Sequence, residues 1–171
     1  QKLLDLLKKN TILIEKDIRK QFVFNERYKN IAKFYLEQTF QNKKIIALHI
    51  RRTDYLNSHF LNNLTLDYYN DALSHFDLSI PTLVFSDDPN WCEDQDCFSG
   101  DRFHIMRSGN TYLDLCLMSM CNYHIIANST YSWWGSWLAR SEKTICPKKW
   151  FQPYASFVDS NGLRLPHWIS I

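Results

Sequence analysis

The sequence predicts an α/β fold, a mainly parallel sheet flanked by helices on both faces. Three observations predict it. Short, continuously apolar runs of strand length recur along the chain, such as Ile45–Ile50 and Thr82–Ser86, as in strands buried on both faces. Segments with helical spacing of apolar residues separate them, and strands alternating with helices imply parallel pairing. The 171 residues are 45% hydrophobic and 22% charged, ordinary globular usage that excludes disorder, collagen and coiled coil. A chain this long buries roughly 70% of its unfolded surface, so its core needs no disulfide or metal.

Taken in order, residues 1 to about 20 read as helical. There Leu3, Leu4, Leu6 and Leu7 accompany Lys2, Lys8 and Lys9. This is an amphipathic helix with a solvated basic face, or one lying on an anionic membrane. A second helix runs from about Asn25 to Phe40, with Ile31, Phe34, Tyr35 and Gln38 at helical spacing. Ile45–Ile50 is the first strand. Leu66 to Phe76 is helical, with Thr65 or Asp67 near its start. Thr82–Ser86 is the second strand, and residues 87–101, with six acidic side chains, form a loop containing a short helix. Phe103–Met106 is the third strand, Thr111–Cys121 an apolar helix and His124–Ala127 the fourth strand. A helix capped by Ser129 or Thr130 then reaches about Arg140, and Lys143–Cys146 is a fifth strand ended by Pro147. The tail, with Pro153, Gly162 and Pro166, is read as irregular. The chain thus divides into a helical lead-in (1–44), a Rossmann-like domain (45–151) and a tail packed on it (152–171).

Net charge is +2, but residues 1–44 carry +6, residues 45–142 carry −7 and residues 143–171 carry +3. A duplex-binding protein spreads its cations along one groove-facing surface, so nucleic acid is excluded as a partner. No apolar run reaches the roughly 18 residues a membrane span requires. The five cysteines, Cys92, Cys97, Cys116, Cys121 and Cys146, match no zinc spacing. Buried thiols are the simplest account of them, with a Cys92–Cys97 pair as the alternative. Two sequons, at Asn63 and Asn128, are weak signals of secretion.

In an open α/β sheet, ligands bind at the C-terminal ends of the strands. The first strand runs out into His49-Ile50-Arg51-Arg52-Thr53-Asp54-Tyr55. Two arginines leaving a buried strand in an acidic segment present planar donor forks that match phosphate. One of them is expected in a structural ion pair, for instance Arg52 with Asp54. The fourth strand ends in Asn128-Ser129-Thr130-Tyr131-Ser132, where hydroxyls and the free N–H groups of a helix start make an anion site. No P-loop and no G-x-G-x-x-G is present, which disfavours ordinary ATPases and dinucleotide oxidoreductases. Asp94-Gln95-Asp96 reads as a solvated turn rather than a metal site, and Trp133, Trp134 and Trp137 as core rather than a sugar platform. Asp114, in an apolar helix, needs a partner or a ligand. His49 reads as a satisfied core histidine.

The His49-x-Arg51-Arg52-x-Asp54-Tyr55 motif and the Ile125–Gly135 segment with N-S-T-x-S-W-W-G together resemble the bacterial α-1,2-fucosyltransferases of glycosyltransferase family 11. Phe85-Ser86-Asp87-Asp88 and Cys146–Phe151 fit the same family, so the resemblance spans about residues 45–151. It implies an inverting transferase of the two-Rossmann-domain (GT-B) kind that needs no metal or other cofactor. Such an enzyme moves fucose from GDP-β-L-fucose to the 2-hydroxyl of a galactose-terminated glycan. It further implies that Arg51 contacts the β-phosphate, His49 and Asp114 the guanosine, and Ser129, Thr130 and Ser132 phosphate. Arg52, Asp87 and Asn128 complete the expected donor site. Arg51 and Asp54 are the catalytic candidates, with no general base assigned between Asp54 and Asp87.

The glycine-rich G-G-L-G-N-Q start of the family is missing. The chain is therefore read as the donor-binding half of a longer protein, acting in the cytoplasm with a peripheral membrane contact. Two other readings are a carbohydrate-binding module built on the six tryptophans and a transferase using Asp94 and Asp96 for a metal.

Overall fold

The computed structural model describes residues 13–155 and 157–171. The expected amphipathic helix built on Leu3–Lys9 lies outside them; residues 13–21 are helical. The first complete helix, α1 (Glu26–Phe40), starts where the Asn25 side chain accepts the Arg27 N–H and ends at Gln41 in the left-handed conformation. Then follow β1 (Ile46–Ile50), α2 (Leu66–Ser74), β2 (Thr82–Ser86), α3 (Pro89–Glu93), β3 (Phe103–Ile105) and α4 (Thr111–Met118). The chain closes with β4 (Tyr123–Ile125), α5 (Thr130–Ala139), β5 (Lys143–Cys146) and β6 (Ile169–Ser170).

All six strands are parallel, in the order β3-β2-β1-β4-β5-β6. This is the doubly wound arrangement, in which the direction of winding reverses between β1 and β4. β1 shows why both faces are covered. Ile46, Leu48 and Ile50 point to one side, where α2 supplies Tyr69, Ala72 and Leu73. Ala47 points to the other, against Ala32 and Phe40 of α1 and Cys116, Leu117 and Met118 of α4. The period of two splits one apolar run between two cores.

The tail differs from its expected irregularity. Ile169 and Ser170 pair with Ile145 and Cys146, adding a sixth strand. Trp168, buried with Ile126, Cys146 and Trp150, anchors that return. The lead-in also shares the core, since Ala32 and Phe40 are buried. α4 ends at Met118, so Cys121 lies beyond it rather than on the same helix as Cys116. The five cysteines are free thiols, and Cys92 and Cys97 do not pair.

Candidate active site

The reversal between β1 and β4 leaves a crevice at the C-terminal ends of these strands, and the rule for doubly wound sheets puts the ligand there. A cleft of about 400 Å³ occupies this place. β1 contributes His49, and the turn after it Arg51, Asp54 and Tyr55. β2 contributes Phe85 and Ser86, with Asp87 just beyond. Thr111 and Asp114 come from the first turn of α4, and Ser129, Thr130 and Tyr131 from the start of α5.

Asp87 organises the β1 exit. Its Oδ1 accepts the Arg52 N–H at 2.9 Å and its Oδ2 the Thr53 N–H at 3.1 Å. The Thr53 hydroxyl donates to the same oxygen. Burial pushes the Asp87 carboxyl up, but these hydrogen bonds and the nearby Arg51 charge outweigh it and hold the pKa below the usual value. Arg51 Nε lies 2.9 Å from Asp54 Oδ1 and 3.5 Å from Asp87 Oδ2. Arg51 thus sits between the two carboxylates while it lines the cleft. Burial works against the Arg51 charge, yet the two carboxylates raise its pKa overall. It is a fixed cation.

The expected Arg52–Asp54 pair is corrected: Asp54 pairs with Arg51, three residues before it. Arg52 turns the other way. Its Nε lies 3.3 Å from Asp88 Oδ2 and its guanidinium stacks 3.7 Å over the Trp91 ring. Both arginines therefore have carboxylate partners, but only Arg51 lines the cleft.

His49 is not the satisfied core histidine expected from its strand. It is 4% exposed and lines the cleft, and its Nδ1 is buried with no hydrogen-bond partner. Desolvation dominates, with Asp87 opposing and Arg51 assisting, and lowers its pKa to about 4. At neutral pH the ring is therefore uncharged. The Tyr131 ring tilts over it at 5.5 Å, held by its hydroxyl, which donates to the Thr111 carbonyl at 2.6 Å. Burial raises the Asp114 pKa, opposed by the hydrogen bond from Ser108.

At the start of α5, the Ser129 side chain caps the Tyr131 N–H and Thr130 is the exposed first helical residue. Two residues expected here are committed elsewhere. Asn128 Nδ2 donates to the carbonyls of Asn62 (2.8 Å) and Trp150 (2.7 Å). The fully buried Ser132 hydroxyl donates back to Ser129 O. Both build the wall behind the cleft. Buried Asn128 also makes a poor glycosylation acceptor.

Outside the cleft, Asp94 and Asp96 are exposed on the acidic loop. Trp133 and Trp137 stack on one another, Trp133 Nε1 donates to Leu163 O, and Trp134 stacks on Phe22. These tryptophans join α5 to the tail and to the residues before α1. Sequence reasoning missed Thr111, Tyr131 and Leu61 as cleft residues. Reading the position just after each strand and loop cap would have found Thr111; Leu61 carries no local signal. No helix among the described residues is long and apolar enough to cross a membrane.

The fold and the cleft define an α/β protein with a ligand crevice at the topological switch point. The model of glycosyl transferase family 11 matches residues 12–171, and the chain belongs to that family. It is 34% identical to the O-antigen biosynthesis glycosyltransferase WbnK of Escherichia coli, over 88% of this chain and 53% of that protein. It is 39% identical to an Escherichia coli alpha-1,2-colitosyltransferase, over 63% of this chain and 41% of the relative. The chain thus spans about half the length of the curated relatives it matches. Among solved structures it is similar to POFUT1 in complex with GDP, with TM-score 0.47 and 14% identity over 67% of this chain and 43% of that one.

Proposed function

We propose that this chain carries the donor-binding part of an inverting, metal-independent glycosyltransferase. The enzyme moves fucose from GDP-β-L-fucose to the 2-hydroxyl of a galactose-terminated glycan, working in the cytoplasm. The observation that carries the reading is the switch-point cleft, where one fixed cation, one uncharged histidine with an unused nitrogen and one helix N-terminus converge. These are complements for a pyrophosphate and a nucleobase.

In this reading the diphosphate lies between Arg51 and the start of α5. The acceptor oxygen attacks the anomeric carbon from the face opposite the phosphate, the bond from that carbon to the β-phosphate oxygen breaks, and GDP leaves with the electron pair. Arg51 and the α5 N–H groups stabilise the growing charge more in the transition state than in the ground state. His49 and Asp114, which both line the cleft, meet the nucleobase. The acceptor proton passes to a general base. Asp87 is a poor candidate, because its oxygens already accept hydrogen bonds and its pKa is held low. Asp54, 59% exposed, is the freer carboxylate.

The test is transfer itself. The full-length enzyme is incubated with GDP-fucose, a galactose-terminated disaccharide and EDTA, and the linkage of the product is read by NMR. A 2-linked fucoside is expected. Transfer only on addition of Mn²⁺, or from UDP-sugars instead, contradicts the reading.

A further inference from the structure

A second cavity, larger than the donor cleft, lies beside it. It is a groove of about 570 Å³ past the end of β5, lined by Asn62, Asn63, Asp67, Asp71, Lys148 and Lys149 over a floor that includes Leu64, Tyr68 and Pro147. The geometry points to a binding subsite for the acceptor, a neutral oligosaccharide whose far residues rest here. This rests on the transferase reading above, which supplies the acceptor.

Three observations support it. First, the groove adjoins the donor cleft. Leu61 lines the cleft, and the next two residues, Asn62 and Asn63, line the groove. Their shared wall is braced: Leu61 bridges Phe151, Asn62 N–H donates to Trp150 O at 3.1 Å, and the Asn128 amide clamps Asn62 O. The groove also opens on the same edge of the sheet, since Pro147 directly follows β5. Two strand spacings separate β1 from β5, about 10 Å, a span that a short oligosaccharide covers.

Second, the lining balances. The lining carries two carboxylates, Asp67 and Asp71, and two ammonium groups, Lys148 and Lys149. A polyanion meets repulsion from the first pair and a polycation from the second, while a neutral polyhydroxylated chain finds both acceptors and donors. Third, the apolar floor is rigid. The Tyr68 hydroxyl donates to Ile126 O at 2.6 Å, which fixes its ring as part of the wall. Apolar bodies beneath planar polar side chains suit the two faces of a pyranose ring.

The experiment uses the full-length enzyme, its Asp67→Ala/Asp71→Ala double variant, and Asp94→Ala as a control on the acidic loop. All three substituted carboxylates are exposed, so folding is retained and is checked by thermal melting. GDP affinity is measured by calorimetry, and binding of N-acetyllactosamine and of a longer neutral galactose-terminated tetrasaccharide by saturation-transfer NMR. The double variant is expected to keep the GDP affinity of the parent and to weaken tetrasaccharide binding at least five-fold, with a smaller effect on the disaccharide. The Asp94→Ala control is expected to change neither. Equal tetrasaccharide binding by parent and double variant, or equal weakening by the control, overturns the subsite. Loss of GDP binding in the parent itself counts against the donor reading alone, because the sugar measurement is direct.

Discussion

At the scale of single residues, the two asparagine and arginine motifs separate into groups that meet the cleft and groups that hold it. Arg51 and His49 line the cavity, whereas Arg52 lies beside Asp88 over the Trp91 ring and Asn128 Nδ2 donates to two backbone carbonyls. The motif residues were legible because chemistry-bearing side chains sit just past strand ends. Their division of labour was not, since Asn128 takes its partners from Asn62 and Trp150, far away in the chain. Nor does adjacency reveal that Arg51 rather than Arg52 pairs with Asp54; the path of the turn decides it. Asn128→Ala removes the side-chain donor from the Asn62 and Trp150 carbonyls, of which the second keeps the Asn62 N–H, and a loss of about 1–3 kcal/mol in unfolding free energy is expected. Urea denaturation measures it, and GDP affinity of the folded fraction should change far less than stability.

At the scale of elements, α4 and α5 pack so closely that the contact tolerates no extra atom. A Cβ at Gly135 would lie 2.7 Å from Met118 Cγ and 3.2 Å from Met118 Cβ, with the sulfur nearer still. Both helices also supply cleft residues from their first turns, so their separation sets the cleft width. Gly135→Ala is expected to cost about 1–3 kcal/mol through overpacking, read as a lower urea midpoint at unchanged m. An unaltered midpoint would mean that Met118 swings aside freely. Central strands were legible here because burial on both faces makes them continuously apolar. β6 was not, because two residues, Ile169 and Ser170, carry no periodicity and depend on Trp168 docking in the core.

At the scale of the whole molecule, the parallel sheet buries two histidines in uncharged form. His49 and His124 are each lowered to about 4, mainly by desolvation. The His124 ring bridges Ser141 Oγ and Met118 O. An unfolded histidine takes up its proton near pH 6.5, whereas these two stay neutral in the fold until about pH 4. The unfolded chain therefore binds more protons in that window. Their contribution is complete above pH 6.5 and is lost as pH falls toward 4, by about 1.4 kcal/mol per pH unit for each histidine. Urea titrations at pH 5.5, 5.25 and 5.0, where the unfolded histidines are almost fully protonated, should show this slope, and His124→Gln should reduce it by about half. The strand order, which no local pattern encodes, is what brings residues 49–55, 85–87, 111–114 and 129–131 to one crevice.

On the proposed reading, this crevice binds a guanosine diphosphate through Arg51 without a metal. Calorimetric titration with GDP, against UDP and in EDTA, tests it most directly when run on the parent and on Arg51→Ala. GDP binding in EDTA, no UDP binding and a loss of about 2–3 kcal/mol in the variant are expected. Equal GDP affinity in a folded Arg51→Ala protein, or binding that disappears with EDTA, would contradict it.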